Sequence, residues 1–181
     1  KIKKSTKRQI RMSLTTDPLG KRAIDSRTAK DRFLFDDLLH VPLLFVGYNV
    51  PPRNSISDLV RLVDVFPTIL DIISIKTDNS KVHGRSLFPL FEGLELPEEL
   101  AYLENTIFQV TEKSPRPCVG IRSNKFKYFR NLNNENENVH LYDLLQDPLE
   151  TINLAKEKPE IVSEMEKSMQ KIRDNSKKIE F

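Results

Sequence analysis

At 181 residues and 38% hydrophobic composition, the chain has room for one core, or for one core with a small subdomain beside it. Its net charge of +3 is uneven: residues 1–32 carry 11 Lys or Arg against three Asp, leaving −5 over residues 33–181, and that basic segment has neither an aromatic residue for base stacking nor a recognisable binding motif, which argues against nucleic-acid binding. The longest apolar run is strand-sized, so neither a membrane span nor a secretory signal is expected, and Cys118 alone allows no internal disulfide, which favours a reducing, cytoplasmic setting.

Residues 1–32 show neither strand alternation nor an apolar helix face and read as a basic arm. Within it, Asp17 and Pro18 suit a surface turn, and Lys30 a solvated side chain. From Phe33 the character changes. Val41, Leu43, Leu44, Phe45 and Val46 predict a strand covered on both faces, preceded by Asp36 and Asp37 as structural carboxylates and by His40 as a capping or packing residue. Pro51 and Pro52 then impose an extended loop. Leu59, Val60, Leu62 and Val63 predict a second buried strand ending at Asp64. Asp64 is suited to cap a helix that takes Pro67 in its first turn, with Phe66, Ile69, Leu70, Ile72 and Ile73 at helical spacing for docking on that sheet. The segment VHGRSLFPLFEG predicts an irregular loop clamped onto a core, with Arg85 placed to pair with a carboxylate.

Residues 98–154 read as β-rich. AYLEN, VGIRS, KFKYFRN and VHLYDL predict a small antiparallel sheet, joined in part by the polar loop NLNNENENV. Alternation in KFKYFRN assigns the aromatics to a covered face and Lys125, Lys127 and Arg130 to water. Cys118 is expected to be an inert, partly buried thiol. Asp147 and Pro148 predict a tight turn in which Glu150 and Asn153 satisfy backbone groups and Leu154 tethers the exit. A helix beginning near Pro159 is expected to bury Ile161, Met165, Ser168, Met169 and Ile172, to expose Glu160, Glu164, Glu166, Lys167 and Lys171, and to fray from Asn175.

LFDDLLHVPLLFVG at 34–47, the pair LVDVFPTILDI and HGRSLFPLFEG, VGIRSNKFKYFRN at 119–131 and HLYDLLQDPLETINL at 140–154 follow one another as in the C-terminal half of sulfatases of the alkaline phosphatase superfamily, which the chain resembles. The resemblance implies an α/β fold: a partial alkaline-phosphatase-like sheet with a C-terminal subdomain of small antiparallel sheet plus helix. It divides the chain into the arm at 1–32, the end of the α/β core at 33–97 and the subdomain at 98–181. It also implies sulfuric ester hydrolysis by a formylglycine nucleophile, made from Cys or Ser, beside a calcium or magnesium ion. Cys118 is followed by Gly120 and Arg122, so the family's Cys/Ser-x-Pro-x-Arg motif is absent here. LTTDPLG at 14–20 echoes the family's Thr/Ser-Asp-His-Gly, which would make Asp17 a metal ligand with Pro18 in place of the histidine, and Lys30 stands near the family's catalytic lysine. His140 replaces the usual glutamate. The expectation is a C-terminal portion, inactive alone, that holds no metal by itself and meets a sulfate ester only when the catalytic half is supplied. Two other readings remain: a non-catalytic interaction module, or a phosphodiester or phosphonate hydrolase of the same superfamily.

Overall fold

A computed structural model of the chain describes residues 13, 14, 17, 20, 34–52, 55–76, 82–105 and 117–176, and the four expected strands form one antiparallel meander. β1 (Ala101–Asn105), β2 (Cys118–Arg122), β3 (Phe126–Asn131) and β4 (His140–Asp143) lie in the order β1-β2-β3-β4. Val119 is paired with Arg130 and Ile121 with Tyr128, and Tyr128 with Leu141. The pleat therefore sends Val119, Ile121, Tyr128, Arg130 and Leu141 to one face, and Cys118, Lys127, Phe129 and Tyr142 to the other.

Each face has its own roof. A long helix, Pro159–Ser176, seals the first with Met165 and Met169; of the tail expected to fray from Asn175, residues 177–181 lie outside the described residues. Leu34 and Phe35 seal the second, packed on Cys118, Phe129, Tyr142 and Leu144, with the Phe35 ring edge-on to Phe129 at 5.6 Å. This double cover corrects the assignment of Lys127 and Arg130 to water: they are 0% and 1% exposed. The expectation set both cations on one solvated face opposite the aromatics, whereas Lys127 lies with Phe129 and Arg130 with Tyr128, and both faces are occupied. Gly120 is a consequence of the same packing, because a Cβ there would lie 2.5 Å from the Tyr128 carbonyl oxygen and 2.6 Å from Phe129 Cβ. Gly120→Ala should destabilise the sheet by about 2 kcal/mol, read as a lower urea midpoint at unchanged m-value.

Turn chemistry follows expectation. Asp143 Oδ1 accepts from the Leu145 and Gln146 amides, and the Asp147 carboxylate accepts from Thr151 and Ile152. Asn153 Oδ1 accepts from the Leu141 and Ala155 amides, and the Leu154 amide donates to the Leu141 carbonyl, which ties the exit of the turn to β4.

The region before β1 departs from expectation. Among the described residues of 34–100, 41–46 and 59–61 have no strand partner, and α1 (Asp36–Leu39), a 3₁₀ turn (Leu62–Asp64), α2 (Val65–Ile72) and α3 (Phe88–Phe91) are the regular elements. A strand exists only through its neighbour's hydrogen bonds, and no described segment forms a ladder with either run. The α/β class stands, carried by the small antiparallel sheet and the helices. Around α3, Leu87, Leu90 and Phe91 are buried against Phe45, Ile56, Val60 and Ile72, which is the clamped segment foreseen from VHGRSLFPLFEG. Its bend needs Gly84, held at φ +90° with a prospective Cβ overlapping the Val63 carbonyl.

Candidate functional site

Of the nucleophile, lysine and metal-ligand candidates singled out in the sequence, Asp17 and Cys118 are described. Asp17 is exposed and its carboxylate accepts from the Gly20 amide at 2.7 Å. Lys30 lies outside the described residues. Cys118 is buried, with Asn138 Nδ2 3.4 Å from its sulfur, and buried thiols are poor nucleophiles. Among the described residues no three His, Cys, Asp or Glu side chains gather on one point.

What the fold does bring together is charge, behind the segments that precede the sheet. Asp36, at the start of α1, sits with Lys127 Nζ on one carboxylate oxygen and Arg122 Nη2 at 3.3 Å on the other. Glu150 reaches the same ammonium at 2.5 Å, outside hydrogen-bond geometry, and its second oxygen accepts from the Asp36 amide at 2.9 Å. Burial alone would raise the Asp36 carboxyl, yet Lys127 and then Arg122 hold it below its ordinary range. Glu150 does this from a left-handed backbone, φ +51°, a strained setting for a non-glycine. Sequence reasoning missed this cluster. The signal available was that Lys127 shares its face with Phe129, and that Asp36 and Glu150 both sit in strongly apolar blocks.

A second cluster fixes α2. Asp64, 1% exposed, accepts from the Arg61 amide at 2.9 Å, from Arg61 Nη2 at 2.7 Å and from the Arg85 amide at 3.0 Å. Its carboxylate makes no bond to the first turn of α2, contrary to the expected cap. Burial opposes its charge, but the Arg61 guanidinium and these amides keep its pKa below the ordinary value. Thr68 Oγ1 donates to the Asp64 carbonyl and accepts from the Leu87 amide, so α2 is pinned to the approach to α3. Arg85 pairs across to Glu99 at 3.8 Å, as the sequence suggested.

Pinned in this way, α2 turns Pro67 and Thr68 inward. Leu62, Phe66, Ile69 and Ile73, spaced as one helical stripe, face outward at 44–69% exposure. This reverses the expectation that Phe66, Ile69 and Ile73 would pack on a sheet of this chain. Next along, Leu44, Val46 and Tyr48 are 82–85% exposed, and residues 41–46 make no backbone hydrogen bond among the described residues. Apolar exposure on this scale marks a surface built to be covered.

His140 is stacked on Phe129 with centroids 4.5 Å apart, and its ring nitrogens meet Tyr142 Oη at 2.7 Å and Asn138 Oδ1 at 3.1 Å. Burial pushes the imidazole down to about 4, so the fold prefers the neutral ring. The unfolded chain, with its ordinary value near 6.5, then binds more protons, and stability is complete above about pH 6.5 and lost as the pH falls through 4. Glu166 adds to the loss further down: burial would raise it, but Arg130 and Tyr128 hold it at about 2, so its share disappears between pH 4.5 and 2. From pH 7 to pH 4 the chain should lose about 3 kcal/mol through His140. Urea midpoints for the wild type and His140→Gln should converge as the pH drops, and parallel curves would refute the assignment.

Comparison with known proteins agrees with this architecture. A family profile described as "N-sulphoglucosamine sulphohydrolase, C-terminal" matches residues 27–175. Arylsulfatase K from Xenopus laevis is 28% identical over 168 residues, covering 90% of this chain and 31% of the relative, and the Homo sapiens protein is 27% identical over 157 residues, covering 84% and 29%. The chain thus spans about a third of the length of these relatives. Among solved structures, BT4656 in complex with its substrate D-glucosamine-2-N,6-O-disulfate superposes with a TM-score of 0.53 at 25% identity, over 63% of this chain and 24% of that one. BT1596, a 2-O GAG sulfatase, gives a TM-score of 0.51 at 28% identity, over 64% and 25%.

Proposed function

Because the chain belongs to the family of N-sulphoglucosamine sulphohydrolase C-terminal regions, we propose that it serves as the C-terminal scaffold of a sulfuric ester hydrolase, inactive alone, and that the 41–48 segment and the outward stripe of α2 seat on the catalytic part of such an enzyme. The observation that carries this is the contrast within one chain. The meander is sealed on both faces, while Leu44, Val46, Tyr48, Leu62, Phe66, Ile69 and Ile73 stand exposed and residues 41–46 make no backbone bond among the described residues. An apolar segment with free amides and carbonyls adds readily to the edge of another sheet, where backbone bonds supply affinity and alternate side chains fill both faces. The nucleophile, and the calcium or magnesium ion, then belong to the catalytic part. Asp17 and Lys30 are carried as its outlying contributors, one to the metal and one to the sulfate. The substrates named for these two solved structures support a sulfated amino sugar or GAG unit as the ester that the assembled enzyme would take. This favours a sulfate ester over the phosphodiester and phosphonate alternatives.

The test pairs this chain with Xenopus laevis arylsulfatase K shortened by its matched C-terminal region. The chain alone should show no turnover of a chromogenic aryl sulfate, and the two proteins should co-elute. Phe66→Asp and Leu44→Asp, both at exposed positions, should weaken the association tenfold or more with the urea midpoint unchanged. Aryl-sulfate turnover by the isolated chain, or association indifferent to both substitutions, would refute the proposal.

A further inference from the structure

We infer that the Asp36–Lys127–Glu150 cluster is a latch, which holds the root of the docking segment against the sheet and so fixes the direction in which residues 41–46 leave it. The role in docking rests on the function proposed above; the latch itself does not. A helix of four residues has no stability of its own in water, and α1 has no side-chain cap. Something else must hold it. Leu34 and Phe35 bury the chain just before it, Glu150 Oε2 takes the Asp36 amide, and Lys127 and Arg122 take the Asp36 carboxylate. Past the His40 amide, which donates to the Asp36 carbonyl at 2.8 Å, the next backbone bond is from Val50 to Gly47. Among the described residues, backbone hydrogen bonds therefore hold residues 41–46 only at their root, with the Phe45 ring packed on Phe91 at the far end. Each partner comes from a different element: α1, β3, and the turn after β4. Glu150 is also kept in a left-handed conformation that a glutamate adopts only when its surroundings fix it. Three groups that must meet at once define one orientation, whereas apolar contacts at Leu34 and Phe35 alone would tolerate several.

Hydrogen exchange on the full chain, with no partner present, reads the latch directly. In Asp36→Ala and in Glu150→Gln, the amides of Asp36, Leu38 and His40 should exchange at least tenfold faster, with those of Val119, Ile121 and Phe129 changed less than twofold. Uniform acceleration across β2 and β3 would mean ordinary loss of stability and would overturn the inference, as would unchanged exchange at 36–40. A second measurement takes association with the shortened arylsulfatase K. Asp36→Ala should bind tenfold or more weakly through a slower on-rate, and unaltered binding beside loosened amides would overturn the docking role. Failure of the wild-type chain to bind at all would instead count against the proposed function and leave the exchange result to decide the latch.

Discussion

Lys127→Met should destabilise the chain by about 3–5 kcal/mol, because it removes the ammonium that faces Glu150 at a fully enclosed point and leaves the partly exposed Asp36 with Arg122 alone. The side chain is 0% exposed, and so is that of Glu150, so water cannot replace the missing charge. Since native domains hold together by only about 5–15 kcal/mol, urea unfolding followed by circular dichroism should show a large drop in midpoint. The same variant with Glu150→Gln added should recover part of the loss, since it leaves fewer uncompensated charges. A Lys127→Met midpoint within experimental error of wild type would show that the ammonium is hydrated and the enclosure incomplete.

Arg130→Met should cost about 3 kcal/mol for a related reason on the other face of the sheet. The guanidinium is 1% exposed. It donates from Nε and Nη2 to the two Glu166 oxygens at 2.9 and 2.6 Å, and from Nη1 to the Asn131 and Leu132 carbonyls at 2.7 and 3.3 Å. Its loss leaves two carbonyls and a carboxylate without their donor, although Tyr128 Oη and Gln170 Nε2 still reach Glu166. Because Glu166 stands on the closing helix, hydrogen exchange in residues 159–176 should accelerate more than in β1. Glu166→Gln should be milder than Arg130→Met, since the amide oxygen still accepts; the reverse ranking would contradict the proposed division of labour. This pair also corrects the expected outward placement of Glu166, which Arg130 and Tyr128 draw in toward the sheet.

The two substitutions mark where sequence reasoning stopped. In KFKYFRN the aromatics were expected on one covered face with Lys127 and Arg130 together in water, whereas Lys127 lies with Phe129 and Arg130 with Tyr128. What alternation could not supply was the number of covered faces, since the two roofs come from residues 34–35 and 159–176, far from β3 in the chain. A lysine between aromatics reads as solvated until both roofs are known. The apolar runs at 41–46 and 59–63 show the opposite failure. Their composition demanded burial, but burial needs a partner, and no described segment pairs with either run. Of the candidate site residues, Asp17 and Lys30 rested on the family resemblance, while the charge cluster at Asp36 depends on contacts 91 and 114 positions apart in sequence.

By itself, the order of residues determined the meander, its turns and the closing helix, because alternation, Asx-type turns and a 3.6-residue apolar period act between near neighbours. It also determined the kinship with sulfatases, through blocks spaced along most of the chain. Only the tertiary structure decided which charges are sealed inside and which apolar side chains are left in water, since burial depends on what distant segments bring to the same place.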